Sequence, residues 1–323
     1  MRFEAIFSIR DENDFNELAL AIFAFQVAHS SVYGSYVTSL GKNRPKHYSE
    51  IPCLPIELFK NHEIISGEKD PNCLTFLSSG TTQISRSQHL VLDPQLYKKS
   101  FTNGYEQFIG KPSNQVILAL LPNYLEQGHS SLVYMVNELI LQTKQPLSGF
   151  VLEDPNEVLS RYERAVELGK QVVLIGVSYA LLDLAYLNVQ LPEAVLIETG
   201  GMKGRRGELS KAALHSKLKS GTGVKKVYSE YGMTEMLSQA YSLGNDLVFQ
   251  TPPWMKVLIR ETNDPFELEA IGKTGGLNVI DLANMYSCSF IATQDLARME
   301  GHGFQLMGRF DTADIRGCNL MVE

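Results

Sequence analysis

The sequence is poor in the features that mark several large classes of protein. It holds only four cysteines in 323 residues, Cys53, Cys73, Cys288 and Cys318, with no CxxC spacing among them. That disfavours both a zinc site and a disulfide framework. Basic residues are not in surplus: 29 Lys and Arg face 36 Asp and Glu, for a formal charge of −7. A chain built to hold a nucleic-acid backbone needs a basic stripe, so a nucleic-acid partner is not expected. No apolar run approaches the roughly 18–20 residues of a membrane span, so no span is expected either. The opening MRFEAIFSIRDEND has no cationic leader followed by an apolar core, which predicts no signal peptide and a reduced, cytoplasmic setting. Repeats, low-complexity tracts and a Walker A loop are also missing. What remains is 44 % hydrophobic and 20 % charged, the balance of a globular chain with a sizeable core.

The apolar spacing then sorts the chain into elements. Residues 14–40 read as helical, with Asp14 as the N-cap. IPCLPIELFKNHEI is interrupted by Pro52 and Pro55 and reads as an ordered connection with a short helical piece. CLTFL (73–77) is a strand that runs into the polar turn SSGTTQISRSQH. Strands QVILALL, QVVLIGV, AVLIET and KVYSEY then alternate with helices around residues 129–142, 178–188 and 208–220. That alternation predicts an α/β fold with a largely parallel sheet. The helix RGELSKAALHSKLKS reads as amphipathic and solvated. From about residue 247 shorter strands and turns suggest a meander or small barrel. In parallel sheets ligands bind at the carboxyl ends of the strands, where the loops after residues 77, 199 and 231 would gather.

Three segments carry residues suited to a nucleotide. Ser78, Ser79, Gly80, Thr81 and Thr82 place hydroxyls and backbone N–H groups around a glycine, and Arg86 adds a cation suited to phosphate. In Ser229–Glu235, Tyr231 offers a flat face for a purine and Glu235 a carboxylate for Mg²⁺. In TQDLA, Asp295 can accept the hydroxyls of a ribose, and Arg309 of GRFD can reach the same sugar or its phosphate. Each loop alone also fits a bland reading: a surface turn, a strand end with a half-buried tyrosine, and two common surface charges.

Taken in order, SSGTTQISR, YGMTE, TQDLA and GRFD resemble the motifs of the adenylate-forming superfamily. Gln83 and Gln294 stand where that family usually has glycine, and Arg86 where lysine is common. IPCLPIELFKNHEIISG, SSLVYMVNEL, ETGGMKGRR and DIRGCNLMVE resemble the LuxE-type acyl-protein synthetases more closely, with phenylacetate-CoA ligase-like enzymes as cousins. The resemblance runs from about residue 50 to the end. It implies an α/β adenylation core over 1–246, a small β-rich subdomain over 247–306, and the hinge motif with a short tail over 307–323 where relatives carry a further domain. It also implies ATP and Mg²⁺ as cofactors, and a fatty or other carboxylic acid that becomes acyl-AMP and then passes to a protein thiol.

Elementary chemistry is consistent with that implication. A carboxylate acylates poorly because oxide is its leaving group, and adenylation replaces oxide with AMP. The crowded anions call for Mg²⁺ on Glu235 and cations such as Arg86 and Arg309. Lys203 in GGMK is a further candidate cation by position and by likeness to the acyl-protein synthetases; a solvated lysine is the plain alternative. Gly200 and Gly201 would let backbone approach the adenylate. Cys318, beside Arg316, is the candidate acyl acceptor, because a flanking cation favours the nucleophilic thiolate. Cys53, Cys73 and Cys288 read as core. His129 and Ser130 open the helix resembling the superfamily segment near the acyl substrate; helix capping is the plain alternative. The acceptor would be Cys318 or a partner such as a reductase or carrier. The rivals are a coenzyme A or carrier-protein ligase and a non-catalytic nucleotide- or acyl-binding subunit.

Overall fold

A computed structural model describes residues 3–69, 71, 73–78, 86–121, 128–151, 154–200, 209–244 and 246–310. The chain forms two compact units, Met1–Asp70 with Pro253–Glu323, and Pro71–Pro252.

The first unit starts with two helices, α1 (Glu12–His29) and α2 (Ser31–Leu40). Asp11, not Asp14, caps α1: its carboxylate accepts from the Asp14 N–H at 2.9 Å. One continuous helix is not formed, because Ser30 is extended (φ −109°, ψ 115°) and caps α2 by accepting from the Tyr33 N–H. The two axes diverge by 106° there. Among the described residues no single helix is long and apolar enough to cross a membrane. Strand β1 (Leu54–Pro55) and the one-turn α3 (Leu58–Asn61) follow, matching the connection expected from the prolines.

The second unit opens on the hairpin β2 (Leu74–Leu77) and β3 (Gln88–Val91). It continues through α4 (Pro94–Phe108), β4 (Gln115–Leu120), α5 (Ser131–Thr143), β5 (Gly149–Phe150), α6 (Pro155–Glu167), β6 (Gln171–Val177), α7 (Ser178–Tyr186), β7 (Val195–Thr199), α8 (Lys211–Thr222), β8 (Val227–Tyr231), β9 (Ala240–Ser242) and β10 (Val248–Phe249). The sheet runs β5-β4-β6-β7-β8-β9, parallel except for β9. Its central strands β4 and β6 are apolar on both faces because helices cover both. Leu118, Leu174, Leu196 and Val227 pack under Val158, Leu181, Leu214 and Leu218 of α6, α7 and α8. On the opposite face Tyr97 of α4 stacks on Tyr134 of α5, and Phe108 of α4 meets Tyr241 of β9.

The first unit is completed by β11 (Met255–Arg260), β12 (Thr274–Asp281), β13 (Phe290–Glu300) and β14 (Gly303–Arg309), antiparallel in that order, with β1 parallel to β13. The expected meander is therefore present. Gln26 of α1 is buried and ties the helices to it: its amide donates to the Met285 carbonyl at 2.9 Å and its carbonyl accepts from the Ser289 N–H at 3.1 Å.

Candidate functional site

Within the second unit, the carboxyl ends of β7 and β8 lie side by side, with Glu198 opposite Ser229 and Thr199 opposite Glu230. β7 is followed by Gly200, which adopts φ +72° and is exposed, a conformation glycine takes without steric cost. β8 ends in Tyr231, followed by the tight turn through Gly232 in which the Met236 N–H donates to the Met233 carbonyl. Tyr231 is buried edge-on against Phe249, with centroids 6.0 Å apart. Buried His89 of β3 anchors the turn: its Nδ1 lies 2.7 Å from the Thr234 carbonyl oxygen. A carbonyl only accepts, so Nδ1 carries the proton. Glu235, next in the chain, is buried.

The base of the β2–β3 hairpin is closed by Ser78, whose N–H donates to the Ser87 carbonyl and whose hydroxyl accepts from the Ser87 N–H, both at 3.0 Å. Arg86 is exposed beside it. The same hairpin touches the start of α5: the Leu77 N–H donates to the His129 carbonyl, and His129 Nδ1 lies 3.4 Å from the Thr75 carbonyl oxygen. Ser130 is the N-cap of α5 and accepts from the Val133 N–H. His129 and Ser130 thus hold the helix end beside the hairpin. Ser79, Gly80, Thr81, Thr82, Gly201, Lys203 and Cys318 lie outside the described residues.

In the first unit, Asp295 and Arg309 are opposite one another on β13 and β14 and form an ion pair at 3.2 Å. The Phe310 N–H donates to the Gln294 carbonyl, and the Gln294 amide donates to Glu57. Beneath them Arg260 donates to the Thr293 carbonyl at 2.6 Å and to Asn278, and covers the Phe310 ring at 5.4 Å. Arg260 underpins both the TQDLA and GRFD segments, a role that spacing in the sequence did not reveal.

Sequence reasoning also missed a buried ionic cluster under the β7–β8 edge. Glu198 is fully buried and accepts from the Ser229 hydroxyl at 2.6 Å, from the Ser178 hydroxyl at 3.1 Å and from the Lys211 ammonium. His215 lies 3.6 Å away. Burial works to raise the Glu198 pKa, but the His215 ring, the Lys211 charge and bond, and the Ser229 bond together outweigh it and hold the carboxyl at about 2. Glu230 behaves oppositely. Burial pushes it up to about 7; the Thr199 hydroxyl bond and Lys211 oppose this, and the Glu198 charge adds to it. Helix α8 is therefore not simply solvated, since its first turns deliver Lys211 and His215 inward. The signal was present in the sequence as Lys and His four apart on the helix behind an acidic strand end.

Cys53 and Cys288 are buried, and burial pushes the Cys53 thiol up to about 12. Cys73 is half-buried, not core. Among the described residues no group of three or more His, Cys, Asp or Glu is arranged to hold a metal by itself. Mg²⁺ in a nucleotide site needs less, because it takes one or two carboxylates with phosphate and water. Buried Glu235 would supply one, so the residue types present fit such an ion.

No protein-family model matches the chain, and no curated protein matches it by sequence. Solved structures do match by fold. ATP-bound MatB from Rhodopseudomonas palustris aligns with TM-score 0.56 at 17 % identity, over 73 % of this chain and 47 % of that one. McyG A-PCP complexed with phenylalanyl-adenylate aligns with TM-score 0.54 at 14 % identity, over 75 % and 48 %. An open conformation of 2-hydroxyisobutyryl-CoA ligase with 2-HIB-AMP and CoA gives TM-score 0.64 at 12 % identity, over 93 % and 75 %. The fold is the α/β fold of the N-terminal domain of adenylate-forming enzymes. The chain spans about half the length of the MatB and McyG structures it matches.

Proposed function

We propose that this chain is an ATP-dependent acid-activating ligase. The observation that carries the reading is the pairing of the Gly200 turn with the YGMTE turn at the ends of adjacent strands, on a fold shared with adenylate-forming enzymes. A carboxylate oxygen of the acid attacks the α-phosphorus of ATP, the bond to pyrophosphate breaks, and acyl-AMP remains. Ser78–Thr82 and Arg86 hold the phosphates, with Lys203 as a further cation. Gly200, Gly201, Tyr231, Gly232 and Thr234 frame the base, Asp295 takes the ribose hydroxyls, and Arg309 reaches the sugar or phosphate. His129 and Ser130 border the acid. Mg²⁺ bound at Glu235 supplies neutralisation of the phosphate charge.

In the second step the Cys318 thiolate attacks the acyl carbonyl, the bond to AMP breaks, and a thioester forms. This is the LuxE-type reading: a fatty or other carboxylic acid reaches a protein thiol, with a reductase or carrier as onward acceptor in a cytoplasmic setting. The resemblance of DIRGCNLMVE supports it. The domain limits at residues 246 and 306 belong to the same reading.

ATP–pyrophosphate exchange across a panel of acids tests the first step; exchange with none of them leaves a binding subunit. Labelled acid retained on the protein as a hydroxylamine-labile bond, and lost in Cys318→Ser, is the expected outcome for the second. Label that leaves only on coenzyme A or a carrier protein selects the ligase alternative.

A further inference from the structure

Gly232 is the meeting point of two buried polar side chains. A Cβ at that position would lie 2.6 Å from Glu230 Oε1, 3.4 Å from Gln239 Cγ and 3.8 Å from Gln239 Nε2. Glu230 and Gln239 are only 7 % and 6 % exposed. Glu230 Oε2 accepts from the Thr199 hydroxyl. Neither Glu230 Oε1 nor the Gln239 carboxamide has a hydrogen-bond partner among the described residues. Among those residues, no side-chain nitrogen or oxygen sealed from solvent is left unpaired. These atoms therefore keep accessible surface, so that water or a ligand polar group can pair with them, and a group that displaced that water without replacing its bonds would leave them unpaired.

The alternation of β7 and β8 decides which side of the sheet that space is on. Leu196 and Val227 face α7 and α8, and Glu198 and Ser229 continue that face toward Lys211 and His215. Tyr231 follows Ser229, two residues on. Thr199 and Glu230 point the other way. There Glu230 is paired across the ladder with Tyr241, which packs on Phe108 of α4. Gln239, two residues before Tyr241, shares that face. It is the face covered by α4 and α5, and His129 and the N-cap Ser130 lead into α5. With the base on the Tyr231 side, the Glu230–Gln239 pair lies on the acid side.

We propose that Glu230 and Gln239 bind a hydroxyl or amino substituent on the acid, so that the substrate is a hydroxy- or amino-substituted carboxylic acid and not a plain fatty acid. This rests on the acid-activating reading above and narrows its substrate. A hydroxyl donates to Glu230 Oε1 and accepts from Gln239 Nε2; an ammonium donates to the Glu230 carboxylate and the Gln239 carbonyl. An unsubstituted methylene leaves both groups buried and unpaired, a mismatch worth on the order of 10⁴-fold in kcat/KM in sites built this way.

The test is exchange kinetics on chain-matched acids: hexanoate, 2-hydroxyhexanoate, 6-hydroxyhexanoate, norleucine and 6-aminohexanoate. The wild type is expected to prefer one hydroxy or amino acid over hexanoate by at least about 100-fold. Glu230→Ala and, independently, Gln239→Leu are expected to bring that ratio toward one, while Glu230→Gln retains part of the preference for a hydroxyl. The hydroxy and amino arms identify the substituent. Equal or better use of hexanoate by the wild type, or a preference that survives Glu230→Ala and Gln239→Leu, overturns the proposal. If no acid supports exchange, the acid-activating reading fails separately, and melting-temperature shifts with the same acids, without ATP, decide the pocket. A rise with a substituted acid in the wild type but not in Glu230→Ala supports it, and no rise with any substituted acid overturns it.

Discussion

Glu198 and Glu230 sit on neighbouring strands, one residue apart in register, yet their surroundings drive them in opposite directions. Glu198 gains more from Lys211, His215 and Ser229 than burial takes away, so its folded pKa lies below the unfolded one. That contribution to stability is present above about pH 4.5 and is lost as pH falls toward 2. Lys211→Met leaves Glu198 buried with one partner fewer. It is expected to lower unfolding free energy by about 2 kcal/mol, less than for a wholly buried pair because the lysine is partly exposed. Urea melts at pH 7 measure this. Glu230 has a folded pKa raised from 4.5 to about 7, so the unfolded state releases its proton first as pH rises. Stability therefore declines between pH 4.5 and 7 and levels off above. Glu230→Gln is expected to remove that decline, stabilising the protein at pH 8 relative to the wild type by up to about 3 kcal/mol. A pH series of melts in which the two proteins stay parallel contradicts it. Asp295, paired with exposed Arg309, is a different case. Asp295→Ala should change stability by less than about 1 kcal/mol while raising the KM for ATP in the exchange assay.

At the scale of elements, helices α7 and α8 meet backbone to backbone at Gly221, where a Cβ would lie 2.3 Å from the Ala185 carbonyl oxygen. Gly221→Ala is therefore expected to destabilise by about 3 kcal/mol, since neither backbone can yield cheaply. A melting temperature unchanged by that substitution would show the contact to be absent. Strands β4 and β6 were legible because parallel strands under helices read as nearly unbroken apolar runs, and β7 and β8 because each opens on Val before turning polar at its carboxyl end. Helices α4 and α6 were harder to see, because YKKSFTNGYEQF and RYERAVE mix polar residues into their buried stripe. Their real signal is local: Asp93-Pro94 and Asp154-Pro155 each set an N-cap before a proline at the first helical position. The break at Ser30 escaped a periodicity reading because the apolar spacing continues through it, while one extended serine redirects the chain.

For the whole molecule, partners far apart in sequence set the limit of what a linear reading could find. Gln26 bonds to residues more than 250 positions away, and the Arg260 anchor under Phe310 depends on carbonyls of two other strands. The motif loops stand out in the sequence because the residue types suited to a nucleotide lie close together in each. The Lys211 and His215 spacing hinted at the cluster around Glu198, but its closure by Ser229 and Ser178, like the Glu230–Gln239 pair, is assembled by strand register and helix packing. Attack of a carboxylate on the α-phosphorus of ATP can be followed with an acid labelled with ¹⁸O in its carboxyl group, incubated with ATP, Mg²⁺ and hydroxylamine as acyl acceptor. AMP carrying one ¹⁸O from the acid is the expected product. Release of ADP and phosphate, or AMP formed without the label, would contradict it.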